Sequence, residues 1–222
     1  MFNSKYSKFL TVLLIVAIVA IVGLLGFWGY DVYQKWNIDK SSAEIVAQFE
    51  GEIEAPNLEA ELSNLVDQID GVEETGETGS KASSGGQRKV MYQGFEVVGT
   101  IEIPSINLKK GILSPETKKS LDLSVVLRYT TSGLNQVGNT VIAGHNNRNG
   151  TMFSNVKKLK NGDLVYITNT NGTKVKYEIY NIYQTTGEDA TYMTRDTNGK
   201  REISLTTCTD DSKNRTIVWA KE

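Results

Sequence analysis

Cysteine and histidine are almost missing from this chain: its 222 residues contain one of each, Cys208 and His145. A single cysteine excludes an intrachain disulfide. One Cys and one His cannot complete a structural zinc cage, and no cofactor is expected. Glu188 and Asp189 are adjacent carboxylates, but two such groups fall short of the roughly six to eight oxygens that calcium takes, so no metal is expected. The chain also lacks an internal repeat and a concentrated basic patch. Its net charge is −2, and its lysines and arginines are too scattered to indicate nucleic acid.

That small net charge covers an uneven distribution. Residues 37–87 carry −10, residues 88–222 carry +6 and residues 1–36 carry +2. The acidic stretch reads as a solvated spacer. The mildly basic part suits an anionic neighbourhood such as a cell envelope.

Charge is wholly absent from Phe9 to Tyr30, a run of 22 residues rich in Leu, Ile, Val, Ala and Gly. At about 1.5 Å per residue it spans a bilayer core of about 30 Å. Lys5 and Lys8 precede it, which favours a cytoplasmic N-terminus, and Trp28, Tyr30, Tyr33 and Trp36 follow as an interfacial belt. The run is longer than the apolar core of a signal peptide, and Ala17-Ile18-Val19-Ala20 is a poor cleavage site. An uncleaved anchor is expected, with the remainder outside the cytoplasm.

Leu58, Leu62, Leu65, Val66 and Ile69 fall on one helical face, and Ile45, Val46 and Phe49 predict an earlier short helix. These helices either pack on the domain that follows or stand as a stalk. Residues 71–88 are polar and rich in Gly and Ser, as in a flexible linker. From Phe95 onward the pattern is β, with strands expected at 95–103, 106–113, 124–128, 139–145, 163–169, 173–185, 201–207 and 215–220. Short helices are expected at 116–121 and 151–160. Asn171-Gly172 signals a two-residue hairpin. Short strands with few helices make an all-β barrel or sandwich.

The two rare residues end strand-like segments. His145 closes NTVIAGH, Cys208 closes SLTTC, and Arg215 opens RTIVWAKE seven positions later. Thiol, imidazole and guanidinium suffice for acyl transfer through a thioester: nucleophile, acid–base group and oxyanion donor. A tight turn through TDDSKN would set Arg215 opposite Cys208 on a neighbouring strand. Asp210 and Asp211 read as a solvated turn, and Met152 and Phe153 as core.

With NTVIAGHN, SLTTC and RTIVWAKE in these places, and FEVVGTIEIPSINLKKGIL ahead of them, residues 95–222 resemble a sortase. Sortases are membrane-anchored cysteine transpeptidases of Gram-positive cell surfaces. Ser204 stands where the family's TLxTC motif usually begins with Thr. The resemblance implies an eight-stranded closed β-barrel at 89–222, behind a cytoplasmic tail (1–8), an anchor (9–30), an extracytoplasmic segment with short helices (31–70) and the linker (71–88). It implies catalytic roles for His145, Cys208 and Arg215, and a hydrogen bond from Thr207 to substrate. Asn146 is expected to bond His145 or substrate, although Asn-Asn-Arg-Asn-Gly also reads as a plain turn.

The implied partners are the membrane, a sorting-signal peptide of LPxTG or NPxTx type, and an amine acceptor on a peptidoglycan precursor. Asn146, GTMFSNVKKLKNGD and RTIVWAKE are class B-like. The short join between the sixth and seventh strands is class D-like. No Asp-Pro-aromatic lid motif precedes the barrel, which counts against class C. An L,D-transpeptidase is a rival, but it would place His-Gly ahead of its cysteine, where this chain has Thr-Thr. A non-catalytic peptide-binding module is the other rival.

Overall fold

The computed structural model describes residues 4–69 and 89–222. The linker expected at 71–88 lies outside the described residues. Two compact units are present, 1–40 and 41–222.

A single helix, α1 (Ser4–Ile69), runs through both units, where separate short helices were expected after the anchor. The reason is compositional. Residues 30–50 contain neither Gly nor Pro, so no residue there punctuates the helix. In the first unit α1 is long and apolar enough to cross a membrane, and its large side chains from Phe9 to Trp36 are exposed.

The second unit holds the barrel. Its strands are β1 (Met91–Tyr92), β2 (Phe95–Ile103), β3 (Leu108–Ser114), β4 (Val125–Thr130), β5 (Gly138–Ala143), β6 (Leu164–Asn169), β7 (Lys174–Thr186), β8 (Arg201–Cys208) and β9 (Asn214–Lys221). Eight of them close in the order β2-β3-β4-β5-β8-β9-β7-β6, and β6 pairs back onto β2 from Gly99↔Asn169 to Glu102↔Tyr166. β1 is an appended edge on β2. Closure by that last pairing makes the fold a barrel and removes the sandwich alternative. Ile101, Ile112, Ile142, Ile167, Leu205 and Val218, from six different strands, fill its core and are fully buried.

Local chemistry moved several expected elements. The helix expected at 116–121 is α2 (Lys118–Leu123), because Thr117 caps it: Thr117 Oγ1 accepts from Ser120 N at 3.0 Å and Ser120 Oγ accepts from Thr117 N at 2.8 Å. The helix expected at 151–160 shrinks to a 3₁₀ turn at Val156–Lys158. There Asn149 Oδ1 takes the Thr151 N–H at 3.1 Å and Met152 adopts φ +50, so a side chain outcompetes the helical ladder. The Asn171-Gly172 hairpin has a three-residue loop instead of two. Asn169 N donates to Thr173 O at 3.1 Å, and only Gly172 of the loop has positive φ, whereas a two-residue type I′ turn needs two such residues.

Within the second unit α1 packs on the outside of the barrel. Ile45 and Phe49 are fully buried against Val97, Leu113, Val126 and Ala143. Gly111 makes this approach possible, since a Cβ there would lie 2.2 Å from Ile45 Cγ2. Lys109 Nζ pairs with Glu50 at 2.6 Å, and Lys110 Nζ donates to Ser42 Oγ at 2.7 Å. The packing alternative for this segment therefore holds for residues 42–53. Phe49→Ala should cost about 3–5 kcal/mol and lower the unfolding midpoint of residues 41–222 by roughly 10 °C. Fluorescence of Trp219, the one tryptophan in that unit, reads the transition; an unchanged midpoint would show that the helix contributes nothing to the barrel.

Candidate active site

Alternation along β8 sets the face that each side chain takes. Ile203 and Leu205 point into the core, so Ser204, Thr206 and Cys208 lie on the outer face. On β9, Val218 points inward, and Arg215 shares the outer face with Cys208. The two residues sit directly opposite in register, Cys208↔Arg215, at the open end of the ladder. The guanidinium Nη1 donates to Cys208 Sγ. The loop between them is set by local bonds: Thr209 Oγ1 donates to Asp211 Oδ1 at 2.5 Å, and Lys213 N donates to the same oxygen at 3.1 Å.

His145 reaches the same place from β5, which runs parallel to β8. Gly144 N donates to Thr206 O at 3.2 Å, carrying the pairing one step past the strand. Gly144 has to be glycine, because a Cβ would meet the Phe153 ring at 2.9 Å. The buried Phe153 ring thus packs against the backbone and leaves His145 at the rim, with its side chain 40% exposed. Its Nε2 lies 3.3 Å from Asp122 Oδ1, on the C-terminal half of α2.

His145, Cys208 and Arg215 line one cavity of about 240 Å³, with Leu121, Ala143, Thr206 and Arg128 as further walls. Arg128 is clamped by Glu116, with Nε to Oε2 at 2.9 Å, and its Nη1 donates to Tyr192 Oη at 3.4 Å. The Glu116 carboxylate holds this guanidinium well above its ordinary pKa, against the effect of burial. A second cavity of about 290 Å³ opens on the other flank of Cys208, lined by Asn146, Ser154, Gln184, Asp210 and Asn214 among others. Thr207 lines both. It is 5% exposed, and its hydroxyl has no hydrogen-bond partner among the described residues.

Asn146 lines the second cavity, and none of its side-chain bonds goes to His145 among the described residues. Its Nδ2 donates to Cys208 O at 3.0 Å and to Asp210 Oδ1 at 2.9 Å. Lys157 Nζ holds the other Asp210 oxygen at 2.5 Å, and these two donors, Lys157 first, keep the Asp210 carboxyl below the usual carboxylate range. Glu188 is exposed, while Asp189 accepts from the Thr185 and Thr191 hydroxyls at 2.6 Å each.

Sequence reasoning missed Asp122, Glu116 and Arg128. Arg128 did leave a trace, as a lone charge inside the apolar strand VVLRYT. Asp122 left none, since only the β3–α2–β4 crossover brings it to His145.

A closed eight-stranded barrel presenting a thiol, an imidazole and a guanidinium on one rim cavity defines a thiol-bearing barrel domain. Residues 101–222, more than half the chain, match the Sortase domain family. The chain belongs to the sortase family. It is similar to Sortase A of Bacillus anthracis, 32% identical over 126 residues, which cover 55% of this chain and 58% of that protein. The chain thus spans little more than half that relative's length. Among solved structures it is similar to a Clostridium perfringens Sortase D5 transpeptidase, with 30% identity and a TM-score of 0.51 over 56% of this chain and 77% of that one. Sortase A from Corynebacterium diphtheriae, a lid mutant, matches at 30% identity and a TM-score of 0.52, over 57% and 70%.

Proposed function

We propose that this protein is a membrane-anchored cysteine transpeptidase, held by residues 9–30 with its N-terminus in the cytoplasm and its barrel (89–222) outside. The observation that carries the reading is the Cys208↔Arg215 register, with His145 on the same cavity. The Cys208 thiolate attacks the carbonyl carbon of a Thr in a C-terminal sorting signal. Arg215 donates to the oxyanion. The peptide C–N bond breaks, and the imidazolium of His145 gives its proton to the departing amine. A thioacyl-enzyme remains. An amine on a peptidoglycan precursor then attacks the thioester and loses its proton to His145, and the thiolate is released. Water competes as acceptor.

The orphaned, buried Thr207 hydroxyl supports a hydrogen bond to the bound peptide, since a buried hydroxyl without a partner is costly. The Gly187–Lys200 join between β7 and β8 contains no helix, which favours a class D-like over a class B-like assignment.

The test incubates the full chain in detergent with LPxTG-type and NPxTx-type peptides plus triglycine, read by intact mass. A wild-type adduct of the N-terminal peptide fragment that triglycine resolves is expected with one peptide type. Thr207→Val should weaken acylation about tenfold, the loss of one hydrogen bond of about 1–1.5 kcal/mol. Peptide retention without an adduct would instead support a non-catalytic binding module.

A further inference from the structure

His145 and Cys208 lie 63 positions apart; Cys208 ends β8, and His145 lies two residues beyond the end of β5. Beyond those ends the β ladder no longer fixes their separation. Something else has to hold the imidazole beside the sulfur.

The residue after His145 makes that connection. Asn146 Oδ1 accepts from Arg148 N at 3.1 Å, which is an ordinary Asx turn and would be present in any such loop. Its Nδ2 is not needed for the turn. Both of that group's hydrogens cross to the other loop, one to Cys208 O at 3.0 Å and one to Asp210 Oδ1 at 2.9 Å. The amide orientation is fixed by its surroundings. A carbonyl and a carboxylate can only accept, and a backbone N–H can only donate, so all three partners agree on where the nitrogen lies.

Asp210 is itself anchored, with Lys157 Nζ on its second oxygen at 2.5 Å. Arg148 Nη2 adds a tie from the histidine loop to Ser212 Oγ at 2.9 Å. The histidine loop is held from behind as well, since Phe153 N donates to His145 O at 2.9 Å and Phe153 is fully buried.

We propose that Asn146 is a positioning residue: its amide clamps the histidine loop to the Cys208 backbone and to Asp210, and so sets the alignment of imidazole and thiol. This rests on the reading of His145 and Cys208 as the reacting pair. Asn146 touches neither reacting atom. Its effect comes through geometry, because misplacing a catalytic group by 1 Å can cost about 10²-fold in rate.

The test uses the full chain in detergent, as wild type, Asn146→Ala and Asp210→Ala. Cys208 is the only cysteine, so its alkylation by iodoacetamide needs no peptide and reports one thiol. Asn146→Ala removes no charge, and Asp122 and Arg128 around His145 and Arg215 beside Cys208 are unchanged in it, so its shifted pH profile of alkylation reports altered thiol–imidazole alignment. Asn146→Ala is expected to shift that profile and to slow thioacyl formation about 10–100-fold. Asp210→Ala, on an exposed loop, keeps the Cys208 tie and is expected to slow thioacyl formation by a smaller factor than Asn146→Ala.

A wild-type profile in Asn146→Ala would overturn the proposal. So would a lowered unfolding midpoint in Asn146→Ala with Asp210→Ala indistinguishable from wild type, since that is the pattern of a purely structural residue. If the wild type forms no peptide adduct while Asn146→Ala still shifts the alkylation profile, the clamp stands and the transpeptidase reading falls.

Discussion

Cys208→Ala should abolish the peptide adduct and reduce turnover by about 10⁶-fold, the loss seen when the nucleophile of a hydrolase triad is removed. The loss is so large because the other two groups have nothing to act on. In the proposed mechanism no thioester forms without sulfur, His145 is left with no leaving amine to protonate, and Arg215 faces a methyl group. The barrel should tolerate the change. Cys208 is half-buried at the end of β8, and the core below it is made by Ile203, Leu205 and Val218. A small side chain lost from a rim leaves little cavity, so the unfolding midpoint should shift by only a few degrees. Intact mass before and after peptide addition decides the outcome. Cleavage continuing at the wild-type rate in Cys208→Ala would remove the cysteine from the mechanism altogether, and with it the acyl-transfer reading.

The sequence was legible where one periodicity dominated. Strands at 95–103, 201–207 and 215–220 were expected within a residue or so of their observed ends, because most of their inward positions are β-branched or leucine. The Cys208↔Arg215 pairing followed from counting across a six-residue turn. Helix α1 was less legible, since within 31–50 only the absence of Gly and Pro tells that it continues. Long-range polar ties were not legible at all. Nothing near Asp122 points to His145, and nothing in Asn-Asn-Arg-Asn-Gly reveals that Asn146 reaches a carbonyl 62 residues away. Such contacts depend on where loops lie at the mouth of a closed barrel, which the hydrophobic pattern does not encode.

Arg215→Ala is expected to lower the acylation rate about 10²–10³-fold while leaving the peptide KM within a few-fold of wild type. The asymmetry follows from what Arg215 touches. In the resting site its Nη1 is spent on Cys208 Sγ. In the proposed acylation the negative charge passes from sulfur to the carbonyl oxygen as the sulfur bonds to carbon, and the guanidinium can follow it with another of its donors. That interaction exists only on the way to the tetrahedral intermediate, so it raises kcat without tightening ground-state binding. Arg215→Lys should recover only part of the loss. An ammonium supplies charge but lacks the planar fork that can serve sulfur and oxygen from one fixed position on β9. Single-turnover adduct formation across a peptide concentration series separates the two constants. A raised KM with unchanged kcat would make Arg215 a peptide-binding residue and leave the oxyanion to backbone N–H groups at the barrel rim.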